Sequence, residues 1–294
     1  MSAERLAELI CTSQPCVALT GAGVSTDSGI PDFRSRTGIW ATVDPREVAS
    51  LSAFRSDPER VWMFYRARIE LLTEAEPNGA HLALAELERR GLLEAVVTQN
   101  IDLLHERAGS RRVVEVHGSI RSASCRRCRR TYPLAHVLEL LAAAEGGPRC
   151  PVCSTVLKPD VVFFEEMLPQ EAIDEAYSLA RSAGLLLVVG SSLEVYPVAE
   201  LPSMTRSAPP LNEVGPLFTT ATRPPAAALE DAVRPLFELG DQPRRGSGAV
   251  DAVEILLVGG HGRPLARHVD RDLEMELDAV RRAPESEGLV LVGG

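Results

Sequence analysis

The chain has 294 residues, enough for one large domain or two modest ones with a substantial buried core. It is 45% hydrophobic and 24% charged, an ordinary globular mixture, and its longest apolar run, around Val188, is too short to cross a membrane. A formal net charge of -10 argues against a general nucleic-acid binder, and the start MSAERLAELI lacks the apolar core of a signal peptide, so a cytoplasmic location is expected.

The first apolar run, residues 17–19, reads as a buried strand and breaks into CVALTGAGVSTDSGIPDFRS, with glycines at Gly21, Gly23 and Gly29. A glycine-rich loop after a strand lets the backbone come close to a phosphate. The spacing fits neither the dinucleotide GxGxxG pattern nor a P-loop, which ends in GK[ST].

Residues 57–74 and the run HLALAELERRG, ending at Gly91, have helical patterns. In the first of these, Tyr65 and Arg68 are three apart and share a helix face. Further apolar runs at 95–98, 113–116, 161–164 and 185–189 read as buried parallel strands. Between the last two, PQEAIDEAYSLARSAG has Pro and Gly as helix punctuation. This alternation predicts an α/β protein with a doubly wound, Rossmann-like parallel sheet. Ligands of such sheets sit beyond the carboxyl ends of the strands. The polar turns GAGVS, TQNID, HGS and GSS all fall at strand ends, so they are expected to converge on one active-site crevice.

Cys125 and Cys128, then Cys150 and Cys153 after 21 residues, form two CxxC knuckles. Four thiolates suit one tetrahedral zinc ion with no open position, hence a structural site in a small lobe. Arg126, Arg127, Arg129 and Arg130 flank the first knuckle and read as a solvated basic face, with a nucleic-acid contact as the alternative. Cys11 and Cys16 have no partner motif and read as core residues.

The tail differs. Residues 203–294 hold only Phe218 and Phe237 as aromatics, and 203–248 are rich in Pro, Ala and Arg, which reads as a loose linker or disorder. EILLVGGHG suggests one more strand and RDLEMELDAVRR a short helix.

Taken together, GAGVSTDSGIPDFRS, TQNIDLLHERAG, VHGS, the two CxxC pairs and GSSLEVYP resemble the sirtuins, NAD-dependent protein-lysine deacylases, over roughly residues 5–202. The resemblance implies that Gly21, Ala22 and Gly23 approach the pyrophosphate of NAD. Asp32, Phe33 and Arg34 would line the nicotinamide pocket. Asn100 and Asp102 would hold the nicotinamide end, with Gln99 on the ribose, and Gly190, Ser191 and Ser192 would serve the phosphates and the adenosine-side ribose. His117 would be the general base, a task suited to an imidazole at working pH. The acyl-lysine oxygen would displace nicotinamide, and the histidine would deprotonate a ribose hydroxyl that attacks the resulting imidate. Water would then release lysine and O-acyl-ADP-ribose, so NAD is a consumed co-substrate.

The same resemblance places the substrate peptide along Val161, Phe163 and Phe164, by strand addition. It divides the chain into an NAD-binding domain (1–35, 77–118 and 158–202), a helical insertion (36–76) and a zinc module (119–157). The partners would be acyl-lysine proteins, with no membrane and no direct nucleic acid, while the oligomeric state stays open. Tyr65 and Arg68 resemble the pair that binds succinyl- or malonyl-lysine in one sirtuin branch; plain helix-face residues are the alternative. Arg and a phenol are a sensible clamp for a carboxylate.

Two departures stand out. Glu165 replaces the Gly of the family's FGE, where its side chain would disturb peptide docking or change preference. After YPVAELP the family's last strand has no counterpart; a replaced or out-of-frame C-terminus would leave one edge of the NAD domain unfinished, and a genuine lineage-specific tail is the alternative. The alternatives to a working deacylase are therefore a catalytically impaired zinc-stabilised relic and an interaction module using the arginine knuckle.

Overall fold

The computed structural model describes residues 3–143, 146–205, 218–219 and 255–259. Its helices are α1 (Ala3–Thr12), α2 (Pro45–Val48), α3 (Leu51–Ser56), α4 (Pro58–Glu74), α5 (Gly79–Arg89), α6 (Leu104–Arg107), α7 (Leu134–Ala142) and α8 (Gln170–Ser182). A six-stranded sheet contains β1 (Cys16–Thr20), β2 (Ala95–Thr98), β3 (Val113–Glu115), β7 (Leu185–Val189), β8 (Phe218–Thr219) and β9 (Ile255–Gly259). The strands run in the order β3-β2-β1-β7-β9-β8, and every pairing is parallel. A second sheet holds β4 (Gly118–Ser124) between β5 (Thr131–Pro133) and β6 (Lys158–Val161), all antiparallel.

Why the large sheet reads as unbroken apolar runs is visible in its burial. All five residues of β1 and of β7 are buried. Alternate side chains face opposite cores, because successive Cβ atoms of a strand point to opposite faces. Cys16, Ala18, Leu185 and Leu187 pack with Leu6, Ile10, Leu84 and Leu87 of α1 and α5. Val17, Leu19, Leu186 and Val188 pack with Ile173, Ala176 and Leu179 of α8. Helices on both faces of a parallel sheet make the doubly wound α/β fold, as the strand–helix alternation implied.

A third core serves the smaller half. Trp62, Tyr65, Ile69 and Leu72 line one face of α4 and meet Ile120, Val137, Leu141, Leu157 and Phe163. Trp62 is 1% exposed and its indole N–H donates to Leu157 O at 2.6 Å. Truncating such a side chain to Ala would cost about 3–5 kcal/mol. Helix α4 starts where Asp57 caps the backbone N–H of Arg60 at 3.0 Å, with Pro58 in the first turn.

Two expectations are corrected. The apolar run 161–164 is not a parallel strand of the large sheet. Lys158–Val161 pairs antiparallel with β4, and Val161 and Phe163 point into the core of the smaller half. An apolar run reports burial, and burial is met here by a different core. The edge beyond β7 is also not unfinished, because β9 pairs with β7 along Leu186–Val189 and β8 pairs with β9. The strand expected in EILLVGGHG is β9. The loose segment 203–248, apart from its first three residues and β8, and the helix expected at 271–282 lie outside the described residues.

Candidate active site

The polar turns that follow β1, β2, β3 and β7 meet at the carboxyl ends of these strands. Their backbones are bonded directly to one another. Gly21 N donates to Val189 O at 3.1 Å, Gly23 N to Gly190 O at 2.8 Å, Gln99 N to Thr20 O at 3.0 Å and Val116 N to Thr98 O at 3.1 Å. Glycines are needed where the first and last turns interlock. A Cβ on Gly23 would stand 2.9 Å from Gly190 Cα. One on Gly190, where φ is +65°, would stand 2.1 Å from Val24 N. The close approach of two backbones thus accounts for Gly23 and Gly190 before any ligand is considered.

The turn after β2 carries two buried polar groups. Asn100 is 8% and Asp102 5% exposed. The Asn100 amide donates to Gly21 O at 3.2 Å and to Ser25 Oγ at 3.1 Å. Ser25 Oγ donates to Asp102 Oδ2 at 2.7 Å, and Asp102 Oδ1 caps Leu104 N at 3.0 Å. Beneath them, His81 Nε2 lies 3.4 Å from Ser25 Oγ, and His105 Nε2 lies 2.9 Å from Thr20 Oγ1. The two imidazoles pack together at a tilt of 58°, with centroids 4.8 Å apart. Burial lowers both pKa values, that of His81 to about 4 against the pull of Asp102. These neutral rings support the β2 turn from below; sequence spacing could not show that His81 and His105, 24 residues apart, meet.

His117 follows β3 and is half-buried. Its Nδ1 lies 3.1 Å from the carbonyl oxygen of Gln99. A carbonyl only accepts, so Nδ1 carries the proton and Nε2 keeps its lone pair. Burial pushes the His117 pKa down, the bond to Gln99 opposes this, and the charge of Arg34 lowers it further. The neutral, proton-accepting form is thereby favoured.

The remaining candidates ring this centre. Gln99 Nε2 donates to Ser191 Oγ at 2.9 Å, which also accepts from Leu193 N at 3.2 Å. Ala22 begins a short 3-10 turn ending at Ser28, and Ser192 is exposed at the rim. Asp32 Oδ1 accepts from Ser35 N at 3.0 Å, while Arg34 Nε pairs with Glu194 Oε2 at 3.2 Å across the crevice. Glu194 and Trp40, whose ring stacks on Phe33 at 5.1 Å, were not singled out by the sequence.

Tyr65 and Arg68 reach the same region from α4. The Arg68 guanidinium sits over the Phe33 ring at 5.0 Å and the Phe64 ring at 5.5 Å. Among the described residues it has no carboxylate or carbonyl partner. Burial lowers its pKa and raises that of the Tyr65 phenol. Tyr65 also packs on Phe163 at 5.4 Å. Val161 and Phe163 are buried and Phe164 is half-buried.

The four cysteine sulfurs lie within 4.8 Å of one another. Tetrahedral Zn–S bonds of about 2.3 Å place sulfurs roughly 3.8 Å apart, so the cluster fits a closed zinc site. The knuckles repeat one turn. Arg129 N donates to Cys125 O and Ser154 N to Cys150 O, both at 2.9 Å, with positive φ at Arg129 and Ser154.

The Sir2 family model matches residues 21–197. An NAD-dependent protein deacylase of Thermococcus sibiricus is 47% identical over 205 residues, which is 69% of this chain and 80% of that protein. A Sir2 structure with a p53 peptide and NAD+ is 44% identical, with a TM-score of 0.63, covering 69% of this chain and 82% of that one. A Sir2 structure bound to a propionylated peptide is likewise 44% identical, with a TM-score of 0.63, covering 69% and 81%.

Proposed function

This chain belongs to the Sir2 family, and from that premise we propose that it is an NAD-dependent protein-lysine deacylase releasing nicotinamide and O-acyl-ADP-ribose. The observation that carries the reading is the imidazole of His117, held by Gln99 O through Nδ1 with Nε2 free, beside the buried Asn100–Ser25–Asp102 cluster.

NAD supplies the leaving nicotinamide and the ribose that accepts the acyl group. The chain's own residues do the rest. Gly21, Ala22 and Gly23 give a backbone turn for the pyrophosphate, with Gly190, Ser191 and Ser192 facing it from β7. Gln99 reaches the ribose, while Asn100 and Asp102 hold the nicotinamide end under Asp32, Phe33 and Arg34. His117 Nε2 takes the proton of a ribose hydroxyl. A base with its pKa lowered by burial stays unprotonated to lower pH than a free imidazole. Val161, Phe163 and Phe164 dock the acyl-lysine peptide. Cys125, Cys128, Cys150 and Cys153 hold one structural zinc ion, which closes the small lobe without touching the chemistry.

For the acyl group, an acidic chain such as succinyl or malonyl is favoured by Arg68. A half-buried guanidinium lying over two rings, with no anionic partner among the described residues, gains most from a carboxylate arriving with the substrate. Formation of O-acyl-ADP-ribose that requires both NAD and an acyl-lysine peptide, and is lost in His117→Ala, tests the reading. Product formed without peptide, or formed at an unchanged rate in the variant, would refute it.

A further inference from the structure

We propose that Glu165 is a positioning residue for the acyl-lysine peptide, acting by fastening helix α3 to the segment Phe163–Glu166; the proposal rests on the deacylase reading above. Phe164 already uses both backbone groups on the helical insertion. Its N–H donates to Ala49 O at 2.9 Å and its carbonyl accepts from Leu51 N at 3.0 Å. The next residue, Glu165, has φ +72°, a left-handed conformation that glycine adopts freely and a side chain resists. Its carboxylate then takes both donors of one residue in the first turn of α3. Ser52 N donates to Oε2 at 2.9 Å and Ser52 Oγ to Oε1 at 2.8 Å. These charge-assisted bonds offset the cost of the backbone.

Glu166 fastens the opposite side. Its Oε2 accepts from Phe163 N at 3.0 Å and pairs with Lys158 Nζ at 2.8 Å, while its Oε1 lies 3.7 Å from Arg126 of the first knuckle. Adjacent glutamates therefore tie one short segment to the helical insertion and to the metal lobe. Phe163 packs against Tyr65 at 5.4 Å and Phe54 at 5.8 Å, so the segment and α3–α4 form one wall. Without Glu165, α3 is held to that wall by the Ser50–Phe164 bridge and by Phe54. A peptide would then have to order the wall as it binds, which lowers affinity without altering the distant proton transfer.

Glu165→Gly is the informative variant, because it removes the carboxylate and relieves the left-handed backbone together, so the chain keeps its fold. The expected result is a rise of roughly ten-fold in the KM for an acetyl-lysine peptide, the size of one lost charged hydrogen bond. The KM for NAD and kcat stay the same, the Tm does not fall, and amide hydrogen exchange at Ser52 speeds up. Glu165→Gln, which keeps an acceptor for Ser52, restores most of the peptide affinity. An unchanged peptide KM in Glu165→Gly, or equal changes in both KM values and kcat, overturns the proposal. A wild-type chain that releases no nicotinamide from NAD and peptide overturns the deacylase reading and this proposal with it. The Ser52 exchange, read without turnover, shows separately whether the tie itself exists.

Discussion

Ser25 Oγ donates a 2.7 Å hydrogen bond to Asp102 Oδ2, joining the turn after β1 to the turn after β2 across 77 residues of chain. Both groups are buried, so the bond fixes the carboxylate that the proposed mechanism uses. Ser25→Ala leaves Asp102 and the Asn100 amide each one partner short, at about 1–3 kcal/mol for a group left unpaired. We expect nicotinamide release to fall by at least about ten-fold, with binding of the peptide alone unchanged. Steady-state kinetics and a peptide titration check this; wild-type rates in Ser25→Ala would contradict it.

Stability should depend on pH through His81 and His105. The His81 pKa is lowered from 6.5 to about 4, mainly by burial, and that of His105 is lowered by burial and by His81. The unfolded chain binds more protons between these values, so the stabilisation is complete above about pH 6.5 and is lost as pH falls toward 4. Each unit of difference is worth about 1.4 kcal/mol. Urea midpoints from pH 7.5 to 4.5 should decline, and His105→Asn should decline less steeply. A flat wild-type profile would contradict the buried neutral pair.

Gly190 and Gly91 give a matched contrast. Both have positive φ, +65° and +70°, but a Cβ meets Val24 N at 2.1 Å in the first and nothing within 4 Å in the second. Gly91→Ala should cost about 1–2 kcal/mol from the backbone alone. Gly190→Ala should cost several times more, because the strand-end turns must separate. Thermal melts of the two variants compare them directly. Equal losses would show that the interlocked turns do not matter.

The metal site has a stoichiometric test. Purified protein should carry one zinc ion per chain, and Cys150→Ser should lose it with a large fall in Tm, since metal binding and folding of such a lobe are coupled. Metal analysis showing none, with an unchanged melt, would contradict the four-thiolate site.

Arg68→Met should spare acetyl-lysine and weaken succinyl-lysine. A charged hydrogen bond of about 1.5–3 kcal/mol corresponds to a loss of roughly ten- to a hundred-fold in kcat/KM for the acidic acyl group. Equal losses on both substrates would make Arg68 a packing residue.

Much of this was legible in the sequence because parallel strands buried on both faces leave unbroken apolar runs, as in Cys16–Thr20 and Leu185–Val189. The cysteine knuckles were legible because their spacing is that of a four-thiolate site, and the fold brings the four sulfurs within 4.8 Å of one another. What stayed hidden is non-local. The run containing Val161 and Phe163 signals burial, but not that its pairing partner is β4 or that its core is that of Trp62. Ser25 stood inside a quoted motif, yet only the fold brings Asp102 to it. Glu165 showed itself as a departure from the family's glycine, whereas its grip on Ser52 depends on a backbone angle that the sequence does not reveal.

The most direct measurement is mass spectrometry of acetyl-lysine and succinyl-lysine peptides incubated with the full chain, with and without NAD, beside His117→Ala. Acyl groups should be lost only with NAD, O-acyl-ADP-ribose should appear, succinyl should be lost faster than acetyl, and the rate should fall by about a hundred-fold or more in the variant. Peptides that remain acylated in the presence of NAD, or acyl loss that persists in His117→Ala, would contradict the deacylase reading.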